Sequence, residues 1–103
     1  MPRHLSHWQA LAVGDPERLI AALSNAELPP WELSFAAEVA GCLPAARAAL
    51  ITLLEHASPT VREGAIYGLS QMLDNDPSIR EPLLKMTRDR SGAVREAARE
   101  ALE

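Results

Sequence analysis

The stretch SPTVREGAIYGL, residues 58–69, returns as SGAVREAAREAL at residues 91–102. Arg62 and Arg95 stand 33 positions apart. The same spacing pairs Pro44 with Pro77, Arg47 with Arg80, Leu50 with Leu83, Val61 with Val94, Glu63 with Glu96, Ala65 with Ala98 and Leu69 with Leu102. The register holds without a gap from residue 44 to the last turn. A period of this length marks a supersecondary unit that cannot bury its own apolar face and must stack on its neighbours. A layered architecture therefore follows before any single element is assigned.

Punctuation divides each unit into two helices. It falls at Asp15-Pro16, Pro29-Pro30, Gly41 to Pro44, Ser58-Pro59, Asp74 to Pro77 and Ser91-Gly92. Proline suits the first helical position, where its missing N–H would be unpaired anyway. Ser58, Asp76 and Ser91 are N-cap candidates, and Gly41 and Asn75 suit left-handed helix ends. Seven helices are predicted, over about 3–13, 16–24, 30–42, 44–56, 59–73, 77–88 and 92–103. Pro82 removes one helical hydrogen bond, so the sixth should start late or bend. Apolar residues make up 48% of the 103, with Ala and Leu dominant, and no stretch alternates as a half-buried strand would. The expectation is a single all-α domain.

Val61, Ala65, Leu69 and Met72 follow helical spacing, as do Val94, Ala98 and Leu102. Beside these stripes run small residues four apart: Gly64 with Gly68, Ala97 with Ala101, and Ala36 with Ala40. A small residue at every turn lets a second helix approach closely. That approach offsets the roughly 1 kcal/mol that glycine costs a helix against alanine. Gly64 and Gly68 are read as structural on this ground. Membrane dimerisation through Gly-xxx-Gly is excluded by the neighbouring Arg62 and Glu63.

The pattern Pro-x-Val-Arg-x-x-Ala-x-x-x-Leu in PTVREGAIYGL, echoed by GAVREAAREAL, resembles HEAT repeats, most of all the short variety also found in phycobilisome-lyase-type proteins. The preceding helix DPSIREPLLKM fits too. The resemblance implies a right-handed α-α superhelix, with units at 15–43, 44–76 and 77–103 and residues 1–14 as an N-terminal capping helix. In the first unit the aligned offset shrinks to 28, Leu33 takes the place of Val61, and no Val-Arg pair occurs. The resemblance makes Arg62 and Arg95 structural, each pairing with an acidic loop residue. Asp89 would be that partner in the last unit, whereas Ser58 stands in the earlier loop. At the N-terminus, Leu5, Trp8, Leu11 and Ala12 form an apolar face expected to dock on the first unit with Trp8 buried. The last helix is charged over much of its circumference, which suits an outer layer.

Little in the sequence suggests catalysis. Cys42 is the only cysteine, so no internal disulfide can form, and on its apolar helix it is expected to be buried and inert. His4 and His7 could share a helical face, but no third ligand is near. His56 is expected to serve a helix C-terminus. No nucleophile elbow, phosphate-cradling loop or carboxylate pair is present. The reading is therefore of a protein that is not an enzyme and takes no cofactor or metal. The N-terminus lacks the apolar core of a signal peptide, and no run reaches the length of a membrane span, so a cytoplasmic location is expected. The net charge of −4 disfavours nucleic acid. Lys85, Arg88, Arg90, Arg95 and Arg99 form a local basic cluster, but Glu81, Asp89, Glu96 and Glu100 interleave with it as on a solvated surface.

Two surfaces are candidates for a partner. In PPWELSFAAEVAGCL, Leu33, Ala36, Ala40 and Leu43 make the core face, while Trp31, Phe35 and Cys42 gather on another side beside Glu38. The aromatic pair either packs between units or forms an exposed patch for a protein or a second copy. The other candidate is the set Arg47, Ile51, Glu55, Arg80, Leu84 and Lys85, which the resemblance puts on the concave side. The expected function is a non-catalytic protein–protein interaction module, with self-association an option. The alternatives are a relative or subunit of a phycobilisome-lyase-type enzyme handling a bilin or a protein's modification site, and a nucleic-acid module using the basic C-terminal half.

Overall fold

Helices begin where the punctuation places them. In the computed structural model, which describes residues 5–103, α1 spans Leu5–Gly14, α2 Pro16–Ala22, α3 Pro30–Ala40, α4 Arg47–Leu53, α5 Pro59–Ser70, α6 Arg80–Met86 and α7 Gly92–Leu102. The described residues form no strand. Asp15 accepts from the Arg18 N–H at 3.3 Å, Asp76 from the Ser78 N–H at 3.2 Å, and Ser91 from the Val94 N–H at 3.5 Å. Ser58 makes no capping bond with its side chain. Instead its own N–H is taken by His56 Nδ1 at 3.0 Å. His56 thus serves the start of α5 and not a helix C-terminus.

Two local expectations are corrected. No described residue has a positive φ, so neither Gly41 nor Asn75 ends a helix in the left-handed conformation. Gly41 is needed for space, because a Cβ there would strike the Gly68 carbonyl oxygen and the Gln71 side chain. The late start of α6 is also not the work of Pro82. A short 3₁₀ turn, Pro77–Ile79, precedes α6, and an equivalent turn, Pro44–Ala46, precedes α4, where Ala49 stands in the place of Pro82. Pro82 sits in the first turn of α6, where an N–H has no intrahelical partner to lose.

The helices stack in two rows. α1 lies on α3, α3 along α5 and α5 along α7, while α2, α4 and α6 each cover one of these from behind. The α3–α5 contact is the most extensive, whereas α4 and α6 scarcely touch. Arg47, Ile51, Glu55, Arg80, Leu84 and Lys85 stand on or beside α4 and α6. Leu19, Leu50, Val61, Ile66, Leu69, Ile79, Leu83 and Val94 are fully enclosed between the rows. Trp8 is buried with them, and Leu11 and Ala12 pack against that core from α1.

Close stacking depends on the glycines of α5. A Cβ on Gly64 would lie 2.6 Å from the Ser34 carbonyl oxygen and 2.7 Å from its Cα. One on Gly68 would strike the Ala37 carbonyl oxygen and come within 3.3 Å of Leu50 Cδ1. The obstacles are mainly backbone, which cannot rotate out of the way.

Arginines tie one layer to the next. Arg62 is 3% exposed. It donates from Nη1 to the carbonyls of His56 at 2.8 Å and Ala57 at 3.0 Å, and from Nη2 to Asp89 Oδ2 at 3.1 Å. Its Nε lies 3.0 Å from Asp89 Oδ1. Asp89 is therefore the partner of the preceding unit's arginine, not of Arg95, whose Nη1 donates to the Asp89 backbone carbonyl at 2.8 Å. Asp89 Oδ2 also takes the Ser91 N–H at 2.8 Å, as His56 takes that of Ser58. His56, one period before Asp89, thus holds the place expected for Ser58. Ser34 stands where α3 would carry the arginine, so no guanidinium reaches residue 56 to require a carboxylate. On the α4 and α6 row Arg47 pairs with Asp76 at 2.7 Å and donates to Ser78 Oγ at 2.8 Å, an exposed link that contributes little.

Partial burial pushes the Asp89 carboxyl up, but the Ser91 N–H and the Arg62 guanidinium outweigh it and hold the group below the usual carboxylate range. The Ser78 hydroxyl, aided by Arg47, lowers Asp76 as well. Both folded pKa values lie below the unfolded value of about 3.9. The stabilisation is fully present above that value and is lost as pH falls through the lower folded ones.

Two predictions follow from these contacts. Gly68→Ala is expected to cost about 1–3 kcal/mol by overpacking, despite its better helix propensity. Gly14→Ala, with no atom within 4 Å of the added Cβ, should instead gain about 0.4–1 kcal/mol. Urea midpoints decide the matter, and equal shifts would mean that α5 does not need its glycines. Second, stability should be flat from neutral pH to about pH 5 and fall below about pH 4. Asp89→Asn leaves Arg62 buried without its counter-charge, so it should cost about 3–5 kcal/mol at neutral pH and make the acid limb shallower. Thermal melts across that pH range measure both effects.

Candidate functional site

The chain has four aromatic residues besides its histidines: two Trp, one Tyr and one Phe. Only Trp8 is buried. Trp31, Phe35 and Tyr67 remain 43%, 37% and 38% exposed. The cause lies in the composition of α3. Leu33, Ala36, Ala37 and Ala40 already fill its packed faces, so Trp31 and Phe35, one turn apart, project from another side. They stack edge to face, with ring centres 6.1 Å apart and planes at 78°. The alternative left open by the sequence is thereby decided: the pair is an exposed patch.

Carboxylates surround the third ring. Glu63 lies one turn before Tyr67 on α5, and Glu96 and Glu100 repeat these two positions on α7, 33 residues on. Glu38 comes from α3. Partial burial raises the Tyr67 hydroxyl pKa, and the charges of Glu63, Glu100 and Glu38 raise it further. Three helices therefore bring negative charge to one phenol. The ion pairs of the described residues are Arg47–Asp76, Arg62–Asp89 and Arg99–Glu96, and none uses Glu38, Glu63 or Glu100.

The second predicted surface does not assemble as one. Ile51, Glu55 and Lys85 line a shallow groove between α4 and α6, floored by Leu54 and Met86. Leu84 is exposed outside the groove, Arg80 lies beside Leu102 and Glu103 at the end of α7, and Arg47 is drawn to Asp76. The basic cluster is divided as well. Arg95 is held by the Asp89 carbonyl and Arg99 by Glu96 at 3.5 Å, leaving Lys85, Arg88 and Arg90 exposed.

Cys42 is exposed, not buried as expected, because it follows the end of α3 and lies beyond its packed face. It sits beside Val39 and Gln71, with Val13 of α1 opposite. His7 is exposed, and His4 lies outside the described residues. Among the described residues no three His, Cys, Asp or Glu side chains gather as metal ligands, and no helix is long and apolar enough to cross a membrane. Sequence reading missed the buried Glu32 in the first turn of α3. Its place at a helix N-terminus, where a carboxylate is favoured, was the available signal.

A family model described as HEAT repeats matches residues 16–103, which takes in α2 through α7 and both Val-Arg helices. No curated protein and no solved structure matches the chain. With stacked helix pairs, a repeated Val-Arg start and a match over most of its length, the chain belongs to the HEAT-repeat family.

Proposed function

We propose that the chain is a non-catalytic protein–protein interaction module, and that it meets its partner with the row formed by α3, α5 and α7. HEAT repeats generally build interaction scaffolds. The observation that carries the reading here is the exposure of three of the four aromatic residues on neighbouring helices of that row. Large rings are the side chains that most often dominate binding energy at protein interfaces. These stand on a frame fixed by backbone contact between α3 and α5 and by the Arg62–Asp89 pair. A rigid frame loses little entropy when a partner docks. The groove between α4 and α6 has no aromatic lining and is the weaker candidate.

The test compares proteins captured from the source cells by immobilised wild type, Phe35→Glu, Tyr67→Glu and Leu84→Glu. The first two variants should lose the proteins that wild type retains, while Leu84→Glu on the α4 and α6 row keeps them. Phe35 and Tyr67 are more than half covered and Tyr67→Glu adds a charge beside Glu63, so both should melt somewhat below wild type, and loss of capture counts where circular dichroism shows the variant folded. Retention by Phe35→Glu and Tyr67→Glu, or loss only in Leu84→Glu, would move the interaction off the proposed row.

A further inference from the structure

The proposed row specifies more than a generic protein surface. We infer that its partner is a cationic segment of another protein, a Lys- and Arg-rich stretch lying across α3, α5 and α7 with its charges on Glu38, Glu63 and Glu100 and its chain against Phe35 and Tyr67. The inference rests on the interaction-module reading and adds the chemistry of the occupant.

Aromatic and acidic groups share the face. Tyr67 projects from α5 with Glu63 one turn away, Glu100 holds the same position on α7, and Gln71 Nε2 ties α5 to Glu38 of α3 by donating to the carbonyls of both Glu38 at 2.7 Å and Tyr67 at 3.3 Å. Phe35 lies on α3, one turn from Glu38 and edge to face with Trp31. Among the described residues no cation is within ion-pair distance of these three carboxylates. A row of carboxylates without counter-charges repels itself, and a cationic partner relieves that repulsion. Exposed rings add their negative faces as further sites for ammonium or guanidinium groups. The same carboxylates oppose a phosphate backbone or an acidic peptide.

Spacing narrows the partner further. Packed helix axes lie about 8–10 Å apart, and an extended chain advances about 3.3 Å per residue. A segment crossing the row therefore meets a new carboxylate about every third residue. Basic side chains at that interval, separated by small or apolar residues facing Phe35 and Tyr67, match the surface. The chain's net charge of −4 favours the encounter.

The test uses a fluorescein-labelled twelve-residue peptide with Lys or Arg at every third position and Ala, Ser or Leu between, against a matched peptide carrying Glu at those positions. Binding is followed by fluorescence anisotropy as salt is raised. The cationic peptide should bind, weaken with salt, and bind Glu63→Gln/Glu100→Gln about tenfold or more weakly. Phe35→Ala should weaken it as well. Glu17→Gln/Glu81→Gln removes the same net charge from outside the face and should change affinity by less than about twofold. Equal losses in the two double variants would reduce the effect to net charge and overturn the inference. So would a cationic peptide that binds no tighter than the acidic one. If no peptide binds yet Phe35→Glu still sheds captured proteins, the module reading stands and the cationic partner falls. Concentration-dependent dimerisation abolished by Phe35→Glu, seen in sedimentation, would make a second copy of the chain the occupant instead.

Discussion

The closeness of α5 to α3 governs the rest of the structure. Gly64 lies on the backbone of Ser34, Gly68 on that of Ala37, and Gly41 returns the contact against Gly68 and Gln71. Three glycines thus remove the side-chain layer that ordinarily separates packed helices. The approach makes the α3–α5 contact the most extensive between helices, while α4 and α6, which have no such seam between them, scarcely touch. It also limits what α3 can bury. With small residues consumed by the seam and Leu33 by the core, Trp31 and Phe35 have no neighbour to cover them.

Arg62 and Asp89 fix how the layers are offset. A buried ion pair seldom adds net stability over apolar packing of the same volume. Its geometric demand is stricter than that of packing. The guanidinium must satisfy two carbonyls of its own loop and the carboxylate of the next at once. Sliding α7 along α5 by one residue would strand a charge in the interior. The outward side of α7 shows what changes where that demand is relaxed. Arg95 keeps its carbonyl contact, but Arg99, 57% exposed, stands where α5 carries the fully buried Ile66.

How much of this was legible in the sequence depended on the range of the interaction. Helix positions came from proline, serine and aspartate acting on adjacent backbone, and the 33-residue period carried them from unit to unit. The seam was legible because Gly64 and Gly68 lie four apart on one helix. The reason for Gly41 was not, since a glycine needed for a close approach reads the same as one needed for a left-handed turn. The partner of Arg62 was missed for a related reason. Asp89 lies in the following unit, and period alone cannot say whether an arginine pairs within its unit or across the stack. Cys42 was misjudged because helical spacing was carried past the last residue of α3.

The same period gives the binding face a direction. Aligned positions on successive helices run Phe35, Glu63, Glu96 in one column and Val39, Tyr67, Glu100 in the next. The face is aromatic with one carboxylate, Glu38, at α3, mixed at α5 and acidic at α7. Glu96 is partly neutralised by Arg99, so the free charge at that end is Glu100. A segment with uniform basic spacing meets Glu38, Glu63 and Glu100 in turn, and its end over α3 also lies beside Phe35 and Trp31. Apolar residues placed between the basic ones at that end add contact with the two rings and favour one orientation. Reversal would take those apolar residues off Phe35 and Trp31 and set them among the carboxylates of α7. Orientation is thus imposed by replacing an aromatic or apolar residue with a glutamate as the repeats advance, while the packed faces beneath keep their pattern.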